Sequence, residues 1–323
     1  MRHDVAAGRS VHVRVPASTA NLGPGFDSIG LALGLWDEYV VTTSEIPGLQ
    51  IEVTGEGCAD VPTDERHLVV ATMRHTWSAI GARPPAGLRV EAVNGVPHGR
   101  GLGSSATAIV AGVVAAQALS SVLDTAAGEP VVVARDVTNH LASALEGHPD
   151  NASASVYGGL TLSWMPDGTG LDLGECTVTA RPRLLREIDV VGFVPEAQLA
   201  TRTARAVLPA TVPLRSAASG AGRAALLVHA LTADPSHLHA ATRDWLHQEP
   251  RRASYPATMA LVDALRSKGR AAFVSGAGPT VLVLTTTSQA RDVVLPDGLS
   301  SARAGWRRIT PGVAHAGATV TAR

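Results

Sequence analysis

A glycine- and serine-rich run at residues 101–108, GLGSSATA, constrains the fold of this 323-residue chain more than any other segment. Apolar, strand-like residues 88–96 precede it, and residues 109–123 follow as an uncharged helix pattern rich in Ala and Val. A helix that is apolar on all sides is buried, so the run predicts a turn between a strand and a central helix. Its glycines, serines and helix start would expose N–H groups and hydroxyls, which suits a phosphate. A serine-capped helix without a ligand is the competing interpretation.

The composition indicates an apolar core and argues against several kinds of partner. Hydrophobic residues make up 45% of the chain and charged residues 17%, as in globular proteins with one or two domains. The net charge is −1 and the sequence has no basic run, so we expect no nucleic-acid partner. Residues 101–123 approach membrane length, but their serines, alanines and single glutamine favour insertion little. We therefore expect no membrane partner and, without an apolar signal segment, a cytoplasmic location.

The numbers of lysine and cysteine residues argue against a Walker-type phosphate loop and against a disulfide-stabilised protein. Lys268 is the only lysine in the sequence, whereas a Walker-type loop requires one directly after its second glycine. Phosphate charge would have to be met by Mg²⁺, arginine, backbone N–H groups and the helix dipole. Cys58 and Cys176 suggest reduced thiols, since they form neither a disulfide framework nor a CxxC pattern.

The order of predicted elements favours an α+β architecture with two domains, residues 1–168 and 169–323. Strands are expected at residues 11–15, 29–35, 39–43, 51–53, 160–164, 188–194, 271–275 and 281–285. Helices are expected at residues 68–80, 109–123, 131–145, 216–231, 238–246 and 258–267. A stretch rich in Gly and Asp at residues 166–174 suggests the boundary.

Four further patterns are candidate chemical sites. The tight loop ASTANLGPGFDS at residues 17–28 presents Asn21 and Asp27, although an ordinary turn would also use such residues. EGHPDN at residues 146–151 crowds two carboxylates, an imidazole and an amide at a predicted helix end, where the dipole disfavours acidic groups. SGAGPT at residues 275–280 permits close backbone approach. Arg205 and Arg251 could bind a carboxylate, or lie on solvated helix faces.

Together and in this order, the motifs resemble the GHMP small-molecule kinases, and among them the branch that phosphorylates homoserine. The resemblance extends from VRVPASTANLGPGFDSIGLAL through VPHGRGLGSSATAIVAG and EGHPDN to SGAGPTVLVL. It implies two α+β domains, the first resembling part of a ribosomal protein and the second ferredoxin-like, with the active site between them. It also implies transfer of phosphate from ATP to the hydroxyl of L-homoserine for threonine synthesis, with Mg²⁺.

The resemblance also implies roles for individual residues. For ATP, the matching positions are Pro97, Gly99, Arg100, Gly101, Leu102, Gly103, Ser104, Ser105, Ala106 and His67, and for Mg²⁺ they are Ser105 and Glu146. For the amino acid, they are Asn21, Asp27, His148, Asn151, Arg205, Arg251 and Gly276, with Asp27 taking the ammonium and the two arginines the carboxylate. Asn151, Thr201 and Arg205 match positions near the transferred phosphate. No general base is assigned; Asp150 is a weak candidate.

Several alternatives stay open at this stage. In LHQEPRR, residues 246–252, either Arg251 or Arg252 could face the substrate. For the metal site, counting along the helix without a gap places His140, rather than Glu146, where some relatives carry the metal-binding glutamate. The substrate could be another small amino alcohol, or the fold could serve as a binding protein without catalysis. A homodimer is compatible with the sequence, which does not determine the oligomeric state.

Overall fold

The first half of the chain folds around a seven-stranded sheet. The computed structural model describes residues 3–121, 125–165, 176–198, 201–296 and 305–323. The sheet contains β2 (Ser10–Asn21), β3 (Gly25–Ser44), β4 (Gly48–Gly55), β6 (Gly87–Asn94), β7 (Leu160–Trp164), β8 (Val178–Ala180) and β13 (Thr319–Ala322). Its main path runs β13-β2-β3-β6-β4, and β7 joins β3 to β8. The short strands β1 (His3–Asp4) and β5 (Ala82–Arg83) form a separate parallel pair.

The helices of this half are α1 (Leu68–Ala79), α2 (Ser104–Ser120), α3 (Arg135–Glu146) and α4 (Pro149–Tyr157). Helices α2 and α4 pack on the sheet, α1 packs on α2, and α3 packs on both α2 and α4. Most residues of α2 are buried, which confirms the central helix predicted from its uncharged sequence. At Gly112 an added Cβ would lie 2.7 Å from Val69 O and from Thr72 Cβ, so α1 and α2 approach closely because this position has no side chain. Among the described residues, no helix is long and apolar enough to cross a membrane.

The second half is built on a four-stranded antiparallel sheet of order β10-β11-β9-β12. Its strands are β9 (Ile188–Pro195), β10 (Ala271–Val274), β11 (Val281–Thr286) and β12 (Trp306–Ile309). The associated helices are α5 (Thr201–Ala206), α6 (Leu214–Thr232), α7 (Leu238–Ala241), α8 (Gln248–Arg251) and α9 (Pro256–Ser267). Apolar side chains cover both faces of the sheet: Phe273 and Leu282 on one, and Phe193 and Met259 in the cluster on the other.

The α+β prediction is confirmed, while several element bounds differ. The predicted helix at residues 131–145 begins only at Arg135, because Val131 donates its backbone N–H to Val320 O of β13. Helix α4 was not predicted; the EGHPDN bend separates it from α3. The helix expected at residues 238–246 stops at Ala241, where the Asp244 carboxylate organises a new turn. Ser104 is the first residue of α2, with left-handed Gly103 before it, so serine is not the cap.

Two strands from the second part of the sequence belong to the sheet of the first half. Strands β8 and β13 lie beyond residue 168 in the sequence, yet both belong to the first sheet. We propose that residue 168 divides the main parts of the two domains. The strands β8 and β13 are the exceptions, since they return to the N-terminal sheet. The boundary stretch at residues 166–174 lies outside the described residues.

Candidate active site

A polar cleft with a cavity volume of about 150 Å³ opens where the two halves meet. The 17–28 loop, the phosphate loop (residues 97–106), the EGHPDN bend, two arginines and the SGAGPT turn all contribute to it. The lining residues are Ala20, Asn21, Phe26, Asp27, Gly99, Gly101, Gly103, Ser104, Ser105, Glu146, His148, Asp150, Asn151, Arg205, Arg251, Gly276 and Ala277. Motifs more than 250 residues apart in the sequence thus form one site.

The segment predicted as the 17–28 loop forms the end of the β2–β3 hairpin, with residues 17–21 in β2, residues 25–28 in β3 and only residues 22–24 between the strands. Its backbone conformation is unusual. Asn21, Leu22 and Asp27 have φ angles of 71°, 48° and 54°, in the left-handed region that non-glycine residues rarely adopt. The Asn21 side chain stabilises this shape by accepting a hydrogen bond from Asp27 N at 3.0 Å and donating one to Gly276 O at 3.1 Å. Strained backbone of this kind is concentrated at functional sites, where the surroundings enforce it.

The phosphate loop relies on glycine at two close approaches. An added Cβ would lie 2.2 Å from Ser275 O at Gly101 and 2.2 Å from Ser18 Oγ at Gly103. Both glycines also have positive φ, 73° and 75°. Ser275 Oγ donates to Gly101 O and so attaches the loop to the second half of the chain. The loop leads directly into the start of α2, whose first N–H groups have no partner within the helix and favour an anion.

A buried carboxylate supports the phosphate loop from behind. Asp37 is fully buried and accepts hydrogen bonds from Gly95 N at 2.9 Å, Val96 N at 3.0 Å and the Thr107 hydroxyl. These donors lie on either side of the loop, so one side chain connects its entry to the first turns of α2. Burial raises the pKa of Asp37 above the ordinary value, although the hydrogen bonds partly oppose that shift.

Ser105 and Glu146 meet across the cleft. The Ser105 hydroxyl donates to Glu146 Oε2 at 3.1 Å. Glu146 is the last residue of α3, and the left-handed Gly147 after it turns the chain. Burial raises the pKa of Glu146, while nearby His148 and the Ser105 hydrogen bond oppose that shift. A hydroxyl and a carboxylate beside a phosphate-binding loop are oxygen donors of the type that Mg²⁺ prefers, so the residues present fit this ion.

The remainder of the EGHPDN bend forms a hydrogen-bonded row. His148 Nδ1 donates to Asp150 Oδ1 at 2.8 Å, and the same carboxylate oxygen accepts from Asn151 N at 2.7 Å. Ser18 Oγ donates to Asn151 Oδ1 at 3.0 Å, which turns the amide nitrogen away from Ser18. Burial lowers the pKa of His148, but Asp150, Glu146 and Asp27 outweigh it and leave the pKa raised. The carboxylates around His148 thus favour the protonated form of its imidazole.

Opposite this row, two arginines surround an aromatic ring. Arg205 forms an ion pair with Asp27, and its guanidinium carbon lies 5.3 Å from the centre of the Phe26 ring. Arg251 is 1% exposed, and its guanidinium carbon lies 5.9 Å from the same ring. A carboxylate and two guanidinium groups within one small cleft match the two charged ends of an amino acid.

The structure also separates the alternatives that the sequence left open. Arg251 lines the cleft, whereas Arg252 is paired outside it with Glu249 and Asp263. Glu146 contacts Ser105, whereas His140 is buried on α3 and accepts a hydrogen bond from Thr177 N.

Other residues expected at the site lie near it or hold its loops. His67 lines an adjoining cavity of about 280 Å³ that shares Ser104 and Ser105 with the cleft, and burial lowers the pKa of its imidazole. Arg100 donates to the carbonyls of His98, Pro195 and Glu196, and thus ties the phosphate loop to β9. Pro97, Leu102 and Ala106 are buried, so they contribute backbone rather than side chains to the loop. The side chain of Thr201 lies outside the described part of the structure.

Sequence reasoning missed Ser18, Phe26 and Ala277 as site residues. Ser18 and Phe26 lie inside the loop already singled out, and Ala277 lies inside SGAGPT, so the motifs pointed to the right segments. Ser18 and Phe26 lie in β2 and β3, where register shifts and left-handed residues interrupt the strand alternation, so periodicity does not reveal which side chains face the cleft.

Comparison with known proteins agrees with this geometry. Residues 67–159 match the profile of the GHMP kinases N terminal domain, and residues 214–295 match that of the GHMP kinases C terminal domain. The solved homoserine kinase from Cytophaga hutchinsonii superposes with a TM-score of 0.79 at 24% identity, covering 96% of this chain and 97% of that one. Mevalonate diphosphate decarboxylase from Staphylococcus aureus superposes with a TM-score of 0.67 at 18% identity, covering 97% and 98%. These two likenesses concern the fold, which hosts more than one chemistry.

The chain belongs to the GHMP kinase family, an ATP-dependent class of two-domain α+β enzymes. Its relatives within that family include the homoserine kinase of Clavibacter michiganensis subsp. michiganensis, 46% identical over 88% of this chain and 85% of that one. The homoserine kinase of Streptomyces coelicolor is 45% identical over 96% of this chain and 94% of that one.

Proposed function

We propose that this protein is a homoserine kinase, which transfers the γ-phosphoryl group of ATP to the side-chain hydroxyl of L-homoserine. The observation that carries the proposal is one cleft holding a carboxylate, two arginines and a glycine-rich phosphate loop. The product, O-phospho-L-homoserine, is the precursor for threonine synthesis. We further propose a cytoplasmic location. We also propose that the protein can form a homodimer, which analytical ultracentrifugation tests.

The charges in the cleft suit the zwitterionic end of the amino acid. Arg205 and Asp27 form an ion pair in the cleft. We propose that the substrate ammonium replaces Arg205 at Asp27, while its carboxylate is bound by Arg205 and Arg251. After this exchange Asp27 is paired with the substrate ammonium, and the substrate carboxylate is paired with both arginines. Every charged group then has a partner of opposite charge. Asn21 and Gly276 hold the loops around this end of the site.

The phosphate end of the site is formed by the loop and the start of α2. We propose that N–H groups of residues 99–105 bind the phosphates of ATP and that the His67 cavity holds the nucleoside. Ser105 and Glu146 would hold Mg²⁺, which offsets phosphate charge when bound. Arg205, Asn151 and the Thr201 position are proposed to lie beside the transferred group. The side-chain carbonyl of Asn151 accepts from Ser18, so its amide nitrogen, which also lies 3.4 Å from Asp150 Oδ1, is the group that would donate to the phosphate.

The proposed chemistry needs positioning and charge stabilisation rather than covalent help. The substrate oxygen forms a bond to the γ-phosphorus, the bond from that phosphorus to the β–γ bridging oxygen breaks, and ADP leaves. Phosphoryl transfer through a loose transition state needs little assistance from a strong base, so the hydroxyl proton can pass to the phosphate product or to water. The chain contributes alignment of the hydroxyl and exclusion of competing orientations.

The direct test measures ADP release with ATP and Mg²⁺ on L-homoserine, L-threonine, L-serine, mevalonate and galactose. We expect turnover with homoserine and its loss after chelation of Mg²⁺. Preference for another amino alcohol would reassign the substrate, and ATP binding without turnover of any alcohol would favour a binding protein.

A paired substitution tests the carboxylate subsite. We expect Arg205→Ala to raise the KM for homoserine by about tenfold or more, because a charged hydrogen-bond partner is lost, with little change in the KM for ATP. Arg252→Ala is the matched control, since Arg252 pairs with Glu249 and Asp263 outside the cleft, and we expect both KM values to stay near wild type. An effect of Arg205→Ala confined to the KM for ATP would contradict the assignment.

A further inference from the structure

We propose that His247 is a positioning residue of the carboxylate subsite, where it fixes the Arg251 guanidinium and the Phe26 ring relative to the 17–28 loop. The inference deepens the proposed function and rests on it for the identity of the substrate. His247 lies in the LHQEPRR segment, of which only the arginines were candidates for the site, and it acts through neighbours rather than by touching the substrate.

The partners of the two ring nitrogens define how His247 is protonated. Nε2 lies 2.6 Å from the carbonyl oxygen of Gly23 and 3.6 Å from Oδ2 of Asp244, both of which can only accept. Nδ1 lies 3.1 Å from Nη1 of Arg251, which can only donate. The imidazole is therefore neutral, with its proton on Nε2 and an acceptor at Nδ1. Burial lowers the pKa of His247, in keeping with this form.

Through these two bonds the imidazole connects the cleft loop to the buried arginine. Gly23 belongs to the loop that carries Phe26 and Asp27. Arg251 uses Nη1 toward His247, and its Nε donates to Ala204 O at 2.8 Å in α5, next to Arg205. Two fixed acceptors on different nitrogens determine the plane of a guanidinium, so the N–H groups directed into the cleft have a defined orientation. A loosely held guanidinium would lose entropy on binding a carboxylate.

The Phe26 ring adds a second constraint on the same group. Its centre lies 5.2 Å from that of the His247 imidazole with an angle of 19° between the planes, so the two rings are stacked. The guanidinium groups of Arg205 and Arg251 both lie within 6 Å of the Phe26 centre. An aromatic face attracts cations, which offsets part of the repulsion between the two arginines. A neutral imidazole supports the ring without adding a third positive charge.

The Asp244 turn places His247 for this task. The Asp244 carboxylate accepts hydrogen bonds from the backbone N–H groups of Leu246, His247 and Gln248 at 3.0, 2.9 and 2.8 Å. The same turn begins α8, which carries Arg251 one helical turn after His247. The i, i+4 spacing brings the two side chains to one face of the helix.

Nitrogen-15 NMR of the imidazole tests the hydrogen bonds without any substrate. We expect the neutral Nε2–H tautomer at pH 7, with Nδ1 showing the shift of a hydrogen-bond acceptor. We also expect the Arg251 Nε–H signal, assigned by its loss in Arg251→Ala, to move in His247→Phe and to stay in place in His239→Phe. A proton on Nδ1, or an Arg251 signal indifferent to His247→Phe, would overturn the proposal.

Kinetics of three variants then test the positioning role. We expect His247→Phe, which keeps a ring against Phe26 but loses both hydrogen bonds, to raise the KM for homoserine at least about tenfold while the KM for ATP changes less than about twofold. His247→Asn places an acceptor near Nδ1 and is expected to recover part of that loss. His239→Phe, on an exposed helix face, is the control.

A double-mutant cycle separates positioning from general stability. If His247 acts through Arg251, His247→Phe should add less than about twofold to the homoserine KM of Arg251→Ala. Independent, multiplying effects, or equal rises in the KM values of both substrates, would show a merely structural role and overturn the proposal. A wild-type protein without homoserine turnover would refute the proposed function instead, and the NMR measurements would still decide the role of His247.

Discussion

Two buried carboxylates, Asp37 and Asp244, fix the backbone on either side of the cleft by accepting several hydrogen bonds each. Asp37 gathers donors on either side of the phosphate loop, and Asp244 gathers three backbone N–H groups at the start of α8. Neither carboxylate lines the cleft. Each compensates its own burial with several donors, which is the condition under which a buried charge is tolerated. The residues that touch the ligands thus depend on others that are hidden behind them.

The raised pKa of Asp37 predicts a dependence of stability on pH. Between the ordinary pKa of 3.8 and the raised value, the folded protein binds more protons at this site than the unfolded chain does. Its contribution to the free energy of unfolding is therefore fully present below 3.8 and lost as the pH rises through the raised pKa. Asp37→Asn removes this titration, so we expect its unfolding free energy relative to wild type to increase with pH across that window.

Urea unfolding of both proteins between about pH 4 and pH 7 measures the difference. Asp64→Asn is the control, because Asp64 is exposed and Arg66 lowers its pKa. The titration of Asp64 therefore contributes with the opposite sign, and solvent screening keeps its effect small. A difference between Asp37→Asn and wild type that is independent of pH would contradict the prediction.

At the scale of elements, the cleft is lined by turns and by the ends of helices and strands: Asn21 ends β2, Ser104 begins α2, and Glu146 ends α3. Left-handed residues occur in the 17–28 loop, in the phosphate loop, at Gly147 after α3 and in the SGAGPT turn. Regular elements bury their backbone polar groups in their own ladders, whereas turns leave N–H and C=O groups available to ligands. The sheets and helices position these turns and element ends, which together line the cleft.

Gly103→Ala tests the close packing of the phosphate loop. The new Cβ would collide with Ser18 Oγ, which holds Asn151, and it would also force alanine into a left-handed conformation. We expect kcat/KM to fall at least about a hundredfold, because misplacement by about 1 Å near the reacting group has costs of that order. Gly81→Ala is the matched control, since Gly81 has a φ of +72° but nothing within 4 Å of an added Cβ.

Both variants carry the strain of a left-handed alanine, about 1 kcal/mol or somewhat more of stability. Only Gly103→Ala should lose activity. Equal kinetic effects in the two variants, measured after thermal melts confirm that both are folded, would show that strain alone accounts for the loss.

At the scale of the whole molecule, the cleft exists only because two halves of the chain are fastened together across it. Ser275 binds Gly101, Asn21 binds Gly276, and Arg100 binds the carbonyls at the end of β9. The strands β8 and β13 return from the second part of the sequence to the first sheet. The halves thus share both covalent crossings and hydrogen bonds at the site itself.

This arrangement predicts that ligands stabilise both halves at once. ATP with Mg²⁺ and homoserine should each raise the Tm, by an amount equivalent to about 2.7 kcal/mol at a concentration of 100 times Kd. Because the proposed ligand contacts involve both halves, we expect one calorimetric transition to shift as a unit. Arg205→Ala should keep the shift with ATP and lose most of the shift with homoserine. Two transitions of which only one responds would contradict this description of the site.

Much of the architecture could be predicted from local patterns. The uncharged α2, the α+β order of elements and the segments that line the cleft all followed from hydropathy, glycine and polar clusters. Helix α4 was missed because it begins immediately at a proline after a bend, with a polar first turn and no apolar period long enough to detect. The predicted helix at residues 238–246 was too long, because periodicity does not reveal that Asp244 would start a new turn.

The sequence by itself determined which segments form the site, because close backbone approach demands glycine and a charged ligand demands groups of opposite charge. GLGSSATA, the 17–28 loop, EGHPDN and SGAGPT are recognisable for that reason. Only the tertiary structure decided which side chains meet: Arg251 rather than Arg252 in the cleft, Glu146 rather than His140 beside Ser105, and His247 behind both Phe26 and Arg251. Ser105 and Glu146 are 41 positions apart, and Phe26 and His247 are 221 apart. No local pattern encodes the distance between side chains on separate elements.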